Sequence, residues 1–323
     1  MRVLVVGATG FLGSWTVRAL LSLGAEVSIL TRIASDTWRL APVLDRLDHQ
    51  VIAGDEVRTP IQRIAPDVLL SLDWAGVAGA DRDDPSQWDN LDRLRETVRA
   101  AADAGATRVI GVGSQAEYGP RAGVVMESDP AAPVTEYGRA KAAASSLFLN
   151  EALAAGLEGA WVRVFSTFGP LDHPYWVLPQ LAARVLRGER APLTDGTQRW
   201  SYLTGSDAGL AFARLATVEA IEGIYNLGNP EAPPLRTTIE AFARRLDRLD
   251  LLDFGSIPHS PTSVMHLQPE VSRLMGLGWA PRTSLADGLT QTADWILGRE
   301  IEDPILAGLT LPAAPWGARP PSH

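Results

Sequence analysis

The chain opens with an apolar run that is followed at once by regularly spaced glycines. Residues 3–6 read Val-Leu-Val-Val, and Gly7, Gly10 and Gly13 then follow in a G-x-x-G-x-x-G pattern. Consecutive apolar residues of this kind are typical of a strand buried on both faces, as in a parallel sheet. The glycines permit a tight turn and a close approach of the backbone to an anion at the next helix's N-terminus. The opening segment therefore predicts a dinucleotide-binding site.

Strand and helix patterns alternate through the first half of the chain. A helix pattern over 14–23 ends at Gly24, and a strand pattern resumes at 26–30, which completes a βαβ unit. Further strands are predicted at 50–55, 67–72, 108–114 and 159–165, and further helices at 89–104 and 136–155. Such alternation is typical of a doubly wound parallel sheet, so we predict an α/β fold of the Rossmann type.

The second half of the chain is less regular and richer in proline and tryptophan. We predict a nucleotide-binding domain over 1–165 with a return strand near 224–228. A smaller, discontinuous α/β subdomain for the substrate is expected over 166–310. The Pro-rich end, 311–323, lacks periodicity and is predicted to be mobile.

Composition excludes several classes of function. The net charge of −9 over 323 residues argues against a general nucleic-acid binder, which needs a basic surface. The chain has no cysteine, so it has no disulfide and no thiolate metal site, and a reducing cytoplasm fits. The five histidines are scattered without metal-ligand spacing, and no apolar stretch is long enough to span a membrane.

A second pattern, Tyr137-x-x-x-Lys141, falls on a predicted helix. Four residues turn a helix by about 400°, so the two side chains share one face. An ammonium beside a phenol favours the phenolate and lowers the phenol pKa, which suits proton exchange during hydride transfer to or from a nicotinamide. Ser114 ends the preceding strand, at the sheet edge where such a cofactor binds. We therefore predict a redox site.

Five motifs follow one another in a characteristic order. They are Gly7-x-x-Gly10-x-x-Gly13, Ser114-x-x-x-Tyr118-Gly119, Tyr137-x-x-x-Lys141, Arg163-x-Phe165-x-x-Phe168-Gly169-Pro170 and the 277–289 segment LGWAPRTSLADGL. In these motifs the chain resembles the extended short-chain dehydrogenase/reductase family of the NAD-dependent epimerase/dehydratase type, and within it the enzymes of nucleotide-activated sugars. The resemblance implies that Tyr137 is the acid/base, that Lys141 holds the ribose and that Ser114 hydrogen-bonds the reacting oxygen.

The resemblance also implies a set of cofactor contacts around the sheet edge. The expected cofactor-binding residues are Gly7, Thr9, Gly10, Phe11, Leu12, Gly13, Arg32, Asp55, Leu72, Asn90, Tyr137, Lys141 and Phe165. Two of them have a simpler alternative, since Asn90 also suits a helix cap and Asp55 also suits a turn cap.

The end of the second predicted strand bears on the choice of nicotinamide. An acid at this place usually accepts hydrogen bonds from the adenosine ribose of NAD, but here the strand ends Leu30-Thr31-Arg32. Arg32 would pair with the 2′-phosphate of NADP, unless it is simply a surface arginine. We expect NADP(H) in preference to NAD(H).

The residues after Ser114 narrow the choice among the reactions of the family. Family dehydratases resemble one another in an Asp-Glu pair at the positions that Gln115 and Ala116 hold here, so dehydration is disfavoured. Ser166 and Trp200 stand where many relatives carry Asn and Arg. The expected substrate contacts are Ser114, Gln115, Glu117, Ser166, Arg199 and Trp200. Each of three residues has a simpler alternative. Arg199 also suits a surface charge, Trp200 also suits a core tryptophan, and Glu117 also suits a charged residue before a turn.

These observations lead us to expect an NADP(H)-dependent reductase of a keto group, at C4, of a nucleotide-diphospho-6-deoxy-sugar. An NAD(P)-dependent nucleotide-sugar epimerase is the alternative, since it returns its hydride to the same sugar. A non-catalytic NADP-binding sensor is a third possibility, although such proteins typically lose the Tyr/Lys pair. The resemblance alone implies a homodimer.

Overall fold

The computed structural model describes residues 1–54, 56–77, 79–259 and 264–315. Its strands are β1 (Arg2–Val6), β2 (Glu26–Arg32), β3 (Asp48–Ile52), β4 (Val68–Ser71), β5 (Arg108–Ser114), β6 (Val124–Val125), β7 (Glu158–Val164), β8 (Thr167–Phe168), β9 (Ala191–Leu193), β10 (Arg199–Trp200), β11 (Leu203–Thr204), β12 (Gly223–Leu227), β13 (Leu252–Phe254) and β14 (His266–Pro269). Its helices are α1 (Phe11–Ser22), α2 (Arg58–Ile64), α3 (Asp89–Asp103), α4 (Glu136–Ala154), α5 (Val177–Leu186), α6 (Gly205–Thr217), α7 (Leu235–Arg245), α8 (Ser272–Met275) and α9 (Leu285–Ile296).

A seven-stranded parallel sheet forms the centre of the protein. Its spatial order is β12-β7-β5-β4-β1-β2-β3, so the chain builds outward from β1 first in one direction and then in the other. The reversal lies between β1 and β4, where Val6 pairs with Ser71. Ligands of doubly wound sheets bind at the carboxyl ends of the strands at this point. The predicted fold class is confirmed.

Both faces of the sheet are covered by helices, which explains the uninterrupted apolar run of β1. Val3 and Val5 pack into a cluster with α1 and α6, whereas Leu4 and Val6 pack into a second cluster with α2, α3 and α4. All four side chains are buried. Successive strand residues point to opposite faces, so a strand between two helix layers needs apolar residues at every position.

A further apolar cluster is formed mainly by α5, α7 and α9. Other elements of the second half of the chain pack on the central sheet instead. Within 166–310, β12 pairs with β7 of the central sheet and α6 packs on α1. The α1–α6 contact is close, because a Cβ added at Gly209 would lie 2.5 Å from the backbone oxygen of Trp15.

The end of the described chain, residues 311–315, packs against the rest of the protein. Leu311 and Ala314 are buried beside α9, and the indole N–H of Trp295 donates to the Pro312 oxygen at 2.9 Å. Apolar side chains within a Pro-rich sequence are enough to dock it on a hydrophobic cluster. The predicted mobility of 316–323 lies outside the described residues.

A buried ion pair ties this C-terminal segment to the first helix. The Arg18 Nε donates to Asp303 Oδ2 at 2.6 Å, and both side chains are almost completely buried. The same guanidinium donates to the backbone oxygens of Ser14 at 3.0 Å and Arg39 at 2.7 Å. Among the helices described here, none is both long and apolar enough to cross a membrane.

Candidate active site

A pocket of about 470 Å³ opens at the carboxyl ends of β1, β4, β5 and β7. It brings together most of the residues that the sequence predicts for the site. Those on its walls are Gly10, Phe11, Leu12, Gly13, Leu72, Ser114, Gln115, Tyr137, Lys141, Phe165, Ser166 and Trp200. The glycine segment and the Tyr/Lys pair therefore face one shared space, as a redox site at the sheet edge requires.

The glycine loop forms a cradle at the N-terminus of α1. Gly7 has a φ of +83°, and a Cβ added at Gly13 would lie 2.1 Å from the Gly7 oxygen, so neither place admits a side chain. The helix begins at Phe11, its N-cap Gly10 provides no side-chain cap, and its first turn has no acidic residue. Its first N–H groups and the positive end of its dipole are thus available to an anion. These features fit the pyrophosphate of a dinucleotide.

Arg39 supports this cradle, and sequence reasoning missed it. The guanidinium lies on the pocket wall, where Nε donates to the Leu171 oxygen at 2.7 Å and Nη1 to the Thr9 oxygen at 3.3 Å. Leu171 has a φ of 69°, a conformation that costs energy for a residue other than glycine, and its oxygen faces Arg39. No sequence pattern marks Arg39, because its partners come from two distant loops.

Tyr137 and Lys141 occupy the first turns of α4, as the spacing predicts. Thr135 begins the helix by accepting a hydrogen bond from the Gly138 N–H at 3.1 Å. Gly138 lets the helix approach closely, since a Cβ there would lie 2.6 Å from the Ala116 oxygen. Both Tyr137 and Lys141 are consequently buried, with Tyr137 8% exposed.

The electrostatics differ from the prediction in one respect. Burial raises the pKa of Tyr137, and the hydrogen bond between Tyr137 and Ser114 and the charge of Arg82 oppose this rise only in part. Burial also lowers the pKa of Lys141 to about 7, against the charges of Glu117 and Asp73. The expected lowering of the phenol pKa is therefore wrong for this structure, because desolvation of Tyr137 outweighs the groups that oppose it.

Glu117, predicted as a substrate contact, lies beneath the pocket instead. Its carboxylate is 0% exposed and accepts hydrogen bonds from the Ser114 N–H at 2.8 Å, the Trp161 indole at 3.0 Å and the Arg163 Nε at 2.7 Å. It therefore fixes the end of β5 to β7 and positions Ser114 for the pocket. The sequence could not show this, because the pairing with Arg163 depends on the order of strands.

The loop after β4 closes the pocket beside the Tyr/Lys pair. Trp74 packs its ring against the Lys141 ammonium and meets Tyr137 edge-on. Asn90 is buried outside the pocket walls and holds this loop, since its Oδ1 accepts from the Ala75 N–H at 2.9 Å. Asp73 pairs with Arg93 at 3.1 Å, so its charge is compensated near the glycine cradle.

Two further predicted residues, Arg32 and Arg199, lie away from the walls. Arg32 is exposed at the end of β2, where its N–H donates to the Ser35 hydroxyl at 3.1 Å. Arg199 is also exposed and outside the lining, which corrects its place as a substrate contact, because β10 presents only its neighbour Trp200 to the pocket. Asp55 lies outside the described residues.

Arg82 is a wall residue that sequence reasoning missed. Its guanidinium lies over the Tyr137 ring, with Cζ 4.4 Å from the ring centre. It belongs to a short 3-10 turn, Gly79–Asp83, in the loop between β4 and α3. A charged residue in an irregular loop carries no periodic signal, and only the fold brings it to the tyrosine.

Comparison with known proteins agrees with this geometry. Residues 3–228 match the NAD dependent epimerase/dehydratase family. The chain is 28% identical to the low-salt glycan biosynthesis protein Agl12 of Haloferax volcanii, over 92% of this chain and 99% of that protein. It is also 28% identical to a dTDP-6-deoxy-L-talose 4-dehydrogenase (NAD(P)(+)) of Kitasatospora kifunensis, over 90% and 94% of the two chains.

Among solved structures, the fold resembles that of DesIV, a dTDP-glucose 4,6-dehydratase from Streptomyces venezuelae with NAD bound. The TM-score is 0.80 at 24% identity, covering 91% of this chain and 96% of that one. The sequence match extends over more than half of the chain and includes the glycine cradle, Ser114, Tyr137 and Lys141. The protein is therefore a member of the NAD-dependent epimerase/dehydratase family, an NAD(P)-dependent enzyme of the nucleotide-sugar type.

Proposed function

We propose that the protein is an NADP(H)-dependent reductase of a nucleotide-diphospho-6-deoxy-sugar that carries a keto group at C4. The observation that carries this proposal is the set of side chains at the end of β5. Ser114, Gln115 and Tyr137 line the pocket together, and Gln115 is followed in the chain by Ala116. Neither Gln115 nor Ala116 can donate the proton that expels water, so redox chemistry without dehydration remains.

Each residue has a defined part in this reaction. The bound nicotinamide would supply the hydride. Tyr137 would give its phenolic proton to the keto oxygen, and the Ser114 hydroxyl would stabilise the charge that develops there. Burial raises the pKa of Tyr137, which keeps the phenol protonated at neutral pH as an acid for reduction.

The proposed activity is tested with NADPH and a nucleotide 4-keto-6-deoxy-sugar. NADPH consumption should occur and should yield the reduced sugar. Tyr137→Phe should lower kcat about 100- to 10,000-fold, the usual contribution of a positioned general acid. Tyr225→Phe, a change of the same size on the edge strand β12, should leave kcat unchanged.

The same assay separates the alternatives. Sugar turnover without any added reductant would indicate an epimerase instead. If Tyr137→Phe left cofactor binding intact and the wild type reduced none of a panel of keto-sugars, the non-catalytic sensor would be favoured.

The NADP preference rests on Arg32, which stands exposed at the end of β2 where the sequence has no acid. A guanidinium there suits a 2′-phosphate. Arg32→Gln should raise the KM for NADPH at least about tenfold, as expected for a lost charge-assisted hydrogen bond, and should leave the KM for NADH unchanged. Arg46→Gln, the same change at another exposed arginine, serves as the control. A lower KM for NADH than for NADPH in the wild type would contradict the preference.

We further propose a homodimer formed through the helices that flank the sheet. This proposal rests on the resemblance to the family alone. Light scattering should give twice the mass of the chain, and a monomer mass would refute the dimer.

A further inference from the structure

Asp172 is a buried acidic residue on the pocket wall that the proposed mechanism does not use. It lies in the loop between β8 and α5 and is 2% exposed. Its Oδ1 accepts a hydrogen bond from the His173 N–H at 2.8 Å. Within the part of the chain that the structure describes, no other hydrogen bond reaches this carboxyl group. One carboxyl oxygen therefore remains available to a ligand in the pocket.

The loop fixes this carboxyl group before a ligand binds. The Asp172 N–H donates to the Gly169 oxygen at 3.3 Å, and the preceding Leu171 has a φ of 69°. Leu171 is completely buried, and its oxygen accepts from the Arg39 Nε at 2.7 Å. Because the backbone is held in this way, the carboxyl group loses little freedom when it binds a ligand.

The charge of Arg39 acts on this carboxyl group, but the Arg39 guanidinium donates to the Leu171 and Thr9 oxygens. Burial therefore dominates and raises the pKa of Asp172 to about 7, although the His173 N–H and the charge of Arg39 oppose the rise. Near neutral pH the carboxyl group is thus present both with and without its proton. The ionised form accepts a hydrogen bond, and the protonated form also donates one.

These properties select the kind of group that Asp172 binds. An anion would be repelled by the ionised carboxylate, and a second cation would be repelled by Arg39. An apolar group would leave the carboxyl oxygen buried without a partner, which is costly. A hydroxyl suits both forms, because it donates to a carboxylate and also accepts from a carboxylic acid.

Aromatic rings follow Asp172 along the same wall. The ring centres of His173 and Tyr175 are 3.5 Å apart, and those of Tyr175 and Trp176 are 5.3 Å apart. Aromatic surface with a few polar groups is typical of sites that bind small organic ligands. A sugar ring has apolar C–H groups on its faces and hydroxyls at its edge, so it matches this arrangement.

We propose that Asp172 binds a ring hydroxyl of the substrate sugar and thereby selects sugars that retain this hydroxyl. The inference rests on the proposed function, because it takes the ligand to be a nucleotide-diphospho-6-deoxy-sugar. A 4-keto-6-deoxy-hexose in its ring form keeps hydroxyls at C2 and C3, so the ligand of Asp172 is one of these two. Asp172 is a specificity-determining residue and takes no part in proton or hydride transfer.

The test measures binding to protein saturated with NADPH and needs no turnover. UDP- and dTDP-6-deoxyglucose, which carry a C4 hydroxyl that NADPH cannot reduce, are titrated calorimetrically, and the tighter-binding of the two is the parent sugar. Its 2,6-dideoxy and 3,6-dideoxy analogues are then titrated. The wild type should bind one analogue about 10- to 100-fold more weakly than the parent sugar, as expected for a lost hydrogen bond to a charged group. Asp172→Ala should lose this preference by binding the parent sugar as weakly as that analogue.

Two further variants serve as controls. Asp172→Asn keeps the shape of the side chain but not its charge, so it should lose part of the preference, and it replaces the alanine variant if that variant does not fold. Asp250→Ala, a change at an exposed aspartate outside the pocket, should bind all three sugars as the wild type does. An unchanged near-ultraviolet circular dichroism spectrum verifies folding.

The proposal is overturned if the wild type binds the parent sugar and both analogues equally, or if it binds no nucleotide sugar. It is also overturned if the Asp172 variants keep the full wild-type preference. Loss of NADPH affinity with normal sugar binding in Asp172→Ala would place the hydroxyl on the cofactor ribose and would likewise overturn it. A wild type that selects sugars through Asp172 but reduces no keto-sugar would contradict only the proposed function.

Discussion

The side-chain nitrogen of Lys141 lies 3.7 Å from the centre of the Trp74 ring and donates a hydrogen bond to the Val112 oxygen at 2.7 Å. The ring stabilises the cation, but an aromatic face replaces only part of the hydration that an ammonium loses on burial. The pKa of Lys141 therefore falls to about 7.

This lowered pKa predicts a stability difference that depends on pH. Between about pH 7 and pH 10 the unfolded state holds the Lys141 proton and the folded state does not, so folding is favoured as the pH rises. The free energy of unfolding of wild type, minus that of Lys141→Met, should increase by up to about 1.4 kcal/mol per pH unit in this window. Urea titrations at several pH values measure it, and a difference that stays constant would contradict the burial of a neutral amine.

Asp172 should show the opposite dependence. Burial raises its pKa to about 7, although the His173 N–H and the charge of Arg39 oppose the rise. Between about pH 4 and pH 7 the folded state holds a proton that the unfolded state has lost, so stability falls as the pH rises. The wild-type free energy of unfolding relative to Asp172→Asn should decrease across this range. An increase across this range would mean that the charge of Arg39 lowers the pKa of Asp172 more than burial raises it.

The close packing of the glycine cradle predicts different effects of alanine at Gly13 and at Gly10. Alanine normally stabilises a helix interior by about 1 kcal/mol over glycine, but a Cβ at Gly13 would lie 2.1 Å from the Gly7 oxygen. Gly13→Ala should therefore lower the melting temperature and abolish binding of the dinucleotide. Gly10→Ala is the control for stability, because its Cβ would lie 3.3 Å from the same oxygen. Equal melting temperatures for the two variants would show that α1 shifts freely.

The buried pair between Arg18 and Asp303 should contribute far more than an exposed pair. Asp303→Asn leaves a buried guanidinium uncompensated, so we expect a loss of about 3–5 kcal/mol in the free energy of unfolding. Asp294→Asn removes the partner of the exposed Arg299 and should cost at most about 1 kcal/mol. Denaturant unfolding of both variants measures the two losses in the free energy of unfolding. Losses of similar size would contradict the role given to burial.

The sequence predicted those features that depend on local pattern. The strand at 108–114 agrees residue for residue with β5, and the helix predicted from 136 ends one residue earlier in α4. The third strand was placed at 50–55 but runs over Asp48–Ile52, because its short, half-exposed pattern gives little signal for its ends.

Side chains whose partners are remote in sequence were beyond prediction. From the sequence, Glu117 looks like a surface charge, but in the fold it pairs with Arg163 of β7. Arg82 looks like an ordinary loop residue, but in the fold its guanidinium lies over the Tyr137 ring of α4. Periodicity reports the burial of an apolar face, but it does not report which charges meet across two elements.

The contact between α1 and Asp303 joins residues 285 positions apart. During synthesis Arg18 leaves the ribosome long before its carboxylate partner has been made. The first half of the protein therefore cannot reach its final packing on its own, because Arg18 has no carboxylate partner until Asp303 has been made. A fragment that stops before this carboxylate would carry a positive charge inside its core with nothing to neutralise it.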